Sequence, residues 1–119
     1  MDFELFTKRF RLDKTIFDDS FMSKDKWSFA IGVCKRTLQR WEVEIVNNSV
    51  LKYLYHQTSN VSKALDGYKR LILLAIYQLK NGLIDNKRHS NKSALKWIEE
   101  NRLNLMRLKF NQWRNQDVN

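Results

Sequence analysis

Residues 28–45 read SFAIGVCKRTLQRWEVEI, and this sequence predicts a short helix, a three-residue turn and a second helix. Gly32 is expected to end the first helix, because glycine adopts the left-handed conformation of a helix C-terminus at little steric cost. Val33 and Cys34 complete the turn, and the second helix is predicted over residues 35–46. Two helices joined by so short a turn are typical of a helix-turn-helix.

The two predicted helices have apolar residues at helical spacing. The first helix is expected to begin after Ser23, a good N-cap residue, and its Trp27 and Ile31 lie four residues apart on one face. In the second helix the apolar face comprises Leu38, Trp41 and Ile45, and the opposite face comprises Lys35, Arg36, Gln39 and Arg40. We therefore expect the apolar faces to pack and the basic face to point outward.

The side chains on that basic face are suited to reading DNA in a major groove about 12 Å wide. Arginine can donate two hydrogen bonds to guanine, and glutamine can pair with the adenine edge. We therefore predict that Arg36, Gln39 and Arg40 contact bases. Lys35 and Thr37 are predicted to contact phosphates, which fixes the register of a protein on DNA without reading the sequence.

Overall charge also favours a polyanionic partner. The chain has 22 Lys and Arg residues against 13 Asp and Glu residues, a formal net charge of +9. Such an excess favours DNA, RNA or an anionic membrane, and the motif favours double-stranded DNA. Lys24 and Lys26 are then expected to lie near the DNA backbone that the first helix crosses. The alternative is a helix pair whose basic face is merely solvated.

The residues GVCKRTLQRWE, at 32–42, resemble the Gly-Val-Ser-x-x-Thr-Leu-x-Arg-Trp/Tyr turn of helix-turn-helix proteins of the MerR and excisionase kind. The resemblance implies DNA binding, often as a dimer, in transcriptional control or recombination. The chain departs from the pattern at Ser28, where the pattern has alanine, and at Cys34, where it has serine. The only echo of a Gly-Tyr-Arg wing, at residues 66–70, lies inside a helical pattern.

The fold class predicted for the whole chain is all-α: a helix-turn-helix followed by two longer helices. There is no proline and there are three glycines, whereas β-rich domains need turn residues often. Residues 1–23 are interpreted as an N-terminal arm or short helix. Residues 24–58 are the helix-turn-helix region, and residues 59–119 form a helical core or oligomerisation region.

The first longer helix is predicted over residues 61–81, with Ser59 or Asn60 as its N-cap. It is apolar on most sides, so it is either central to the core or shared with a second subunit. Residues 49–56, before it, are expected to form a helix, with a short β-wing as the competing interpretation.

The last helix is predicted over residues 94–112, with Ser90 or Ser93 as its cap. If both longer helices bury surface between subunits, the protein is a homodimer, and its recognition helices lie about 34 Å apart. A different interpretation is a protein-interaction module, anchored by the aromatic residues Trp97, Phe110 and Trp113.

Neither an enzyme nor a metal or cofactor site is expected. His56 and His89 have no Cys or His partner at ligand spacing, and phosphate loops and nucleophile motifs are absent. Cys34, beside Lys35 and Arg36, is interpreted as a turn residue, with a redox-sensing thiol as the alternative. The chain has no apolar run of about 18 residues, and its N-terminus is charged. Together with the predicted DNA binding, these two features predict a cytoplasmic, nucleoid-associated protein. A DNA-binding accessory role in recombination, replication or phage packaging is the alternative to transcriptional control.

Overall fold

The computed structural model describes Phe3 and residues 14–57 and 64–116. Its described part is mostly helical, which confirms the predicted class at that level. The α-helices in chain order are α1 Lys24–Ile31, α2 Lys35–Glu44, α3 Lys52–Tyr55, α4 Gly67–Lys80, α5 Asn91–Glu100 and α6 Arg107–Arg114. Short 3-10 turns occur at Lys14–Phe17, Val46–Asn48 and Arg102–Leu105.

The helix pair α1 and α2 lies where the sequence predicts it. The Ser23 hydroxyl caps α1 by accepting a hydrogen bond from the Lys26 N–H at 3.1 Å. Gly32 has a φ of 82°, in the left-handed region, and its N–H donates to the Ser28 carbonyl at 2.9 Å. Val33 N–H donates to the same carbonyl at 3.0 Å, which completes a glycine-terminated helix end. Helix α2 ends at Glu44, slightly before the predicted residue 46.

A small antiparallel sheet was not predicted. Strand β1, Met22–Ser23, pairs with β2, Ala64–Leu65, so that Met22 faces Leu65 and Ser23 faces Ala64. Strands of two residues are too short to show the alternation by which a strand is recognised in a sequence. The sheet joins the residues before α1 to those before α4. It thereby fixes the start of α1 against the start of α4.

The segment after α2 differs from both interpretations of it. The helix predicted at 49–56 is reduced to α3, and no strand, and hence no β-wing, occurs between residues 46 and 57. Ser49 accounts for the late helix start, because its hydroxyl donates to the Val46 carbonyl at 2.7 Å and accepts from the Leu51 N–H at 3.1 Å. These local side-chain bonds compete with helix formation.

Helix α4 begins at Gly67, after strand β2, so the predicted start at residue 61 is wrong. The predicted caps, Ser59 and Asn60, lie outside the described residues. The N-cap is Asp66, whose carboxylate accepts a hydrogen bond from the Lys69 N–H at 2.9 Å. A Cβ at position 67 would overlap the main-chain oxygen of Phe17. Glycine therefore permits the N-terminal segment to lie directly against the start of α4.

The last predicted helix is two helices, so the prediction of one helix over 94–112 is wrong. Ser90 caps α5 by accepting a hydrogen bond from the Ser93 N–H at 3.1 Å, as one of the two predicted caps. Asn101 ends α5, and its side-chain amide donates to the Trp97 carbonyl at 2.9 Å. The chain then passes through the 3-10 turn into α6.

Helix α4 forms the centre of the core. All its residues from Gly67 to Leu79 are buried except Tyr77, which is half-buried. Of the two predicted positions, the central one is therefore observed, and the predicted subunit interface on this helix is not. The buried side chains of α6, Phe110 and Trp113, belong to the same core.

The N-terminal arm is described only in part, and the short helix predicted within residues 1–23 falls mainly on residues 4–13, outside the described ones. Phe3 packs against Phe110 and Trp113, with ring centroids 5.8 and 5.7 Å apart. Phe3 therefore packs on α6 and not on the helix pair α1 and α2. No described helix has the length and hydropathy needed to span a bilayer.

Candidate nucleic-acid interface

Helix α2 has one buried face and one exposed face. Leu38, Trp41 and Ile45 are buried in the core, as their spacing predicts. The opposite side of the helix exposes Lys35, Arg36, Gln39 and Arg40. The observed helix therefore presents to solvent two guanidinium groups and an amide, the groups that read guanine and adenine edges.

Two of the residues predicted to contact phosphate form contacts around the turn. The Lys35 ammonium lies 3.4 Å from the Asp25 carboxylate, and both side chains are exposed. Such an exposed pair contributes little and is readily exchanged for a phosphate contact. Thr37 is half-buried, and its hydroxyl lies 3.0 Å from the Cys34 sulfur.

The two lysines of α1 have different surroundings. Lys26 is exposed, whereas Lys24 lies against α2 in an ion pair with Glu42 at 2.6 Å. Both members of this pair are largely covered. Lys24 thus has its charge matched by Glu42, whereas Lys26 lies open to solvent.

Two buried hydrogen bonds hold the helix pair against the core. The Trp27 indole N–H donates to the Arg70 main-chain oxygen at 3.1 Å and so joins α1 to α4. The Tyr55 hydroxyl donates to the Glu42 carboxylate at 2.7 Å and so joins α3 to α2. Burial raises the pKa of Tyr55 well above its ordinary value, so the hydroxyl stays a donor. With these bonds, α2 is presented from a rigid support.

Cys34 is exposed at the start of α2 and is the N-cap residue, but it forms no capping hydrogen bond with its side chain. The hydrogen bond between the sulfur and the Thr37 hydroxyl lowers the pKa of the thiol. Helix α2 therefore lacks the side-chain cap that a serine at this position would supply.

The basic loop between α4 and α5 is held by His89. Its Nε2 lies 2.9 Å from the Asp85 carboxylate, and its Nδ1 lies 2.7 Å from the Ser93 hydroxyl. The hydrogen bond with His89 lowers the pKa of Asp85. Lys87 and Arg88 are exposed on this loop.

Two of the three predicted aromatic anchors of an interaction module are buried in the core. Phe110 is 1% exposed and Trp113 is 4% exposed, and Trp97 is half-buried. Phe110 and Trp113 pack with Phe3 and Phe17 in the core. Phe110 and Trp113 therefore serve the core, and of the three residues Trp97 alone keeps part of its surface exposed.

The sequence did not indicate a cavity of about 410 Å³ beside α2. We call it the Lys69 cavity; its lining residues are Lys24, Gln39, Glu42, Val43, Asn47, His56, Ala64 and Lys69. Lys69 and its neighbour Arg70 are buried, although they lie in a helix whose pattern gives no warning of buried charge. The sequence Asp66-Gly67 is a signal that a helix begins there, but it does not predict which side chains point inward.

Comparisons with protein-family models, with curated proteins and with solved structures gave no match.

Proposed function

We propose that this protein binds double-stranded DNA sequence-specifically, as a small transcriptional regulator that reads the major groove with α2. The observation that carries the proposal is the position of Arg36, Gln39 and Arg40, exposed on the side of α2 opposite its buried face. The described hydrogen bonds and ion pairs within the protein do not use these three side chains.

Each residue has a defined role in this proposal. Arg36, Gln39 and Arg40 contact base edges, where a bidentate contact discriminates by about 1–3 kcal/mol. Lys35, Thr37 and Lys26 contact phosphates and set the register. Lys24 holds α2 against α1 through its ion pair with Glu42.

The proposed assembly is a homodimer, whose twofold symmetry would place two α2 helices about 34 Å apart. Because α4 is enclosed by its own chain, a dimer contact must lie elsewhere. Leu103, Met106 and Leu108 are exposed apolar residues in and beside the turn between α5 and α6, and they support a contact there.

Selection of duplexes from a random-sequence pool, followed by affinity measurements on the selected site, tests the proposal. Arg36→Ala/Arg40→Ala should weaken binding to the selected site by about 100-fold, since two base contacts are lost. Lys96→Ala/Lys109→Ala is the matched control, because it also removes two exposed positive charges, from α5 and α6. Its affinity should fall only through the general electrostatic attraction.

If no sequence is enriched, or if both double variants lose the same affinity, α2 is not the reading helix. Enrichment of a palindrome with half-sites one helical turn apart supports the dimer. The genomic position of the selected site separates a regulator, whose sites precede genes, from an accessory factor in recombination, replication or packaging.

A further inference from the structure

The Lys69 cavity has the size and composition of a ligand site. Its volume of about 410 Å³ lies within the range of about 300–1,000 Å³ that is common for small-molecule sites. Gln39 and Val43 line it from α2, His56 from the end of α3, and Ala64 from β2. The cavity is therefore built from segments that the fold holds in fixed relative positions.

The negative charge in the cavity is already matched. Glu42 pairs with the Lys24 ammonium at 2.6 Å and accepts a hydrogen bond from the Tyr55 hydroxyl at 2.7 Å. Asp66, the carboxylate nearest along the chain to Lys69, pairs with Arg107 at 3.0 Å. Lys69 forms no ion pair with either carboxylate, although the negative charge of both raises its pKa.

Lys69 supplies the unmatched charge. The residue is only 3% exposed, and its ammonium group has no hydrogen bond or ion pair with the described residues. The contact found for it is the face of the Tyr55 ring, whose centroid lies 5.4 Å from Nζ. Burial lowers the pKa of Lys69, because desolvation penalises the charged form. Asp66 and Glu42 also attract this charge, but they are two carboxylates shared among three cations, Lys24, Lys69 and Arg107. An anion in the cavity would therefore offset the excess positive charge and the cost of burying Lys69.

Neutral polar groups complete the lining. His56 Nε2 lies 2.7 Å from the Asn47 side-chain oxygen, so the ring and the amide orient each other. The pKa of His56 is lowered, chiefly by burial, which keeps the imidazole neutral at pH 7. Besides the ion pair of Lys24 with Glu42, the lining thus offers one ammonium group, that of Lys69, and a few neutral hydrogen-bonding groups, a composition suited to a small polar ligand.

We propose that the Lys69 cavity binds a small organic anion, whose carboxylate or phosphate group pairs with the Lys69 ammonium. A DNA phosphate carries the same charge, but phosphates of a duplex are reached by exposed side chains, and Lys69 is enclosed. The bound anion touches Gln39, which is predicted to read a base, so occupancy of the cavity alters the helix that faces DNA.

The test is a titration of the full chain followed by backbone amide NMR spectra, with inorganic phosphate and glutarate as separate probes. Sodium chloride at matched ionic strength is the reference. We expect saturable shifts at the amides of Lys69, Asn47 and Gln39 with at least one probe. Lys69→Met should weaken this binding by about tenfold or more, equal to about 1.4 kcal/mol. Lys96→Met, an exposed lysine in α5, is the matched control and should bind as the wild type does.

A second variant guards against a folding defect in Lys69→Met. Ala64→Leu adds volume to the cavity wall without changing charge, and it should also abolish the saturable shifts. The proposal is overturned if neither probe saturates, or if Lys69→Met and Ala64→Leu bind as tightly as Lys96→Met. It is also overturned if Lys69→Met weakens duplex binding without any added anion and lowers the salt slope by about one, because the cavity then holds a DNA phosphate. The NMR titration contains no DNA, so its result is independent of the proposed DNA binding.

Discussion

Basic side chains have opposite surroundings on α2 and at the start of α4. Arg36 and Arg40 are exposed on α2, whereas Lys69 and Arg70 are 3% and 0% exposed on α4. A net charge of +9 therefore overstates the charge available to a polyanion, since part of it serves the interior. The arginines of α2 therefore face solvent, whereas the arginine of α4 has a structural role in the core.

Arg70 does its structural work through main-chain oxygens. Its guanidinium donates to Ser20 and Leu65 at 2.9 Å each and to Ile16 at 2.7 Å. It also pairs with the Asp18 carboxylate at 3.3 Å. One planar group with five donors can satisfy several carbonyls that would otherwise be buried without partners.

The largest expected effect follows from removing that group. Arg70→Met keeps apolar bulk but leaves the carbonyls of Ile16, Ser20 and Leu65 without their donor. The free energy of unfolding should fall by about 3 kcal/mol or more, because three hydrogen bonds to a charged donor are lost and each contributes about 1.5–3 kcal/mol. Urea unfolding measures the change. Arg102→Met, at an exposed arginine, is the control, and a loss below about 1 kcal/mol at position 70 would remove the contrast between the two helices.

A smaller effect is expected at Lys69, with a defined pH dependence. The folded-state pKa of Lys69 is below the unfolded value of 10.5, so the unfolded chain binds more protons between these two values. The free energy of unfolding therefore rises with pH through that window as the cost of the buried charge disappears. Lys69→Met lacks this cost, and it should be more stable than the wild type at pH 7 by about 1 kcal/mol. The difference should shrink towards pH 10.5, and an equal difference at both pH values would contradict a buried charge.

The N-caps of the two helices provide a further contrast. Asp66 caps α4 with its side chain, whereas Cys34 does not cap α2. Cys34→Ser supplies an oxygen acceptor and should exceed Cys34→Ala in stability by about 1 kcal/mol. Thermal unfolding of the two variants side by side measures this. Equal stability would mean that the start of α2 gains nothing from a cap.

The smallest effect on stability is expected on α2 itself. Arg36→Ala/Arg40→Ala should change the free energy of unfolding by less than about 0.5 kcal/mol, because exposed residues without structural partners contribute little. The same urea unfolding measurement applies. A large loss would show that these arginines support the fold, and any loss of DNA binding could then not be assigned to base contacts.

Local signals explain which parts of the fold could be predicted. Ser23, Gly32 and the spacing of Leu38, Trp41 and Ile45 act within one helix or turn, so the sequence specifies α1 and α2 closely. The start of α4 depends instead on the fit of Gly67 against Phe17, which lies far away in the chain. The pairing of β1 with β2 is equally remote in sequence, and neither strand is long enough to show a pattern.

The same distinction applies to the candidate site. The outward orientation of Arg36, Gln39 and Arg40 follows from helical periodicity, and it is observed. The pairing of Lys24 with Glu42 joins two helices, and periodicity within one helix contains no information about it. The Lys69 cavity is still less accessible to prediction, because its walls come from segments between residues 24 and 69 that only the folded chain brings together.

The hydrogen bonds of Arg70 make the helix pair α1 and α2 dependent on the rest of the chain. Its acceptors come from residues 16, 20 and 65, and its own carbonyl receives the Trp27 indole. A fragment cut to begin at α1 would keep α1 and α2 but would leave this guanidinium without the acceptors at residues 16 and 20. The smallest fragment that folds on its own must therefore include the segment before α1 and the central helix α4. An isolated pair of helices, α1 and α2, would not keep this structure.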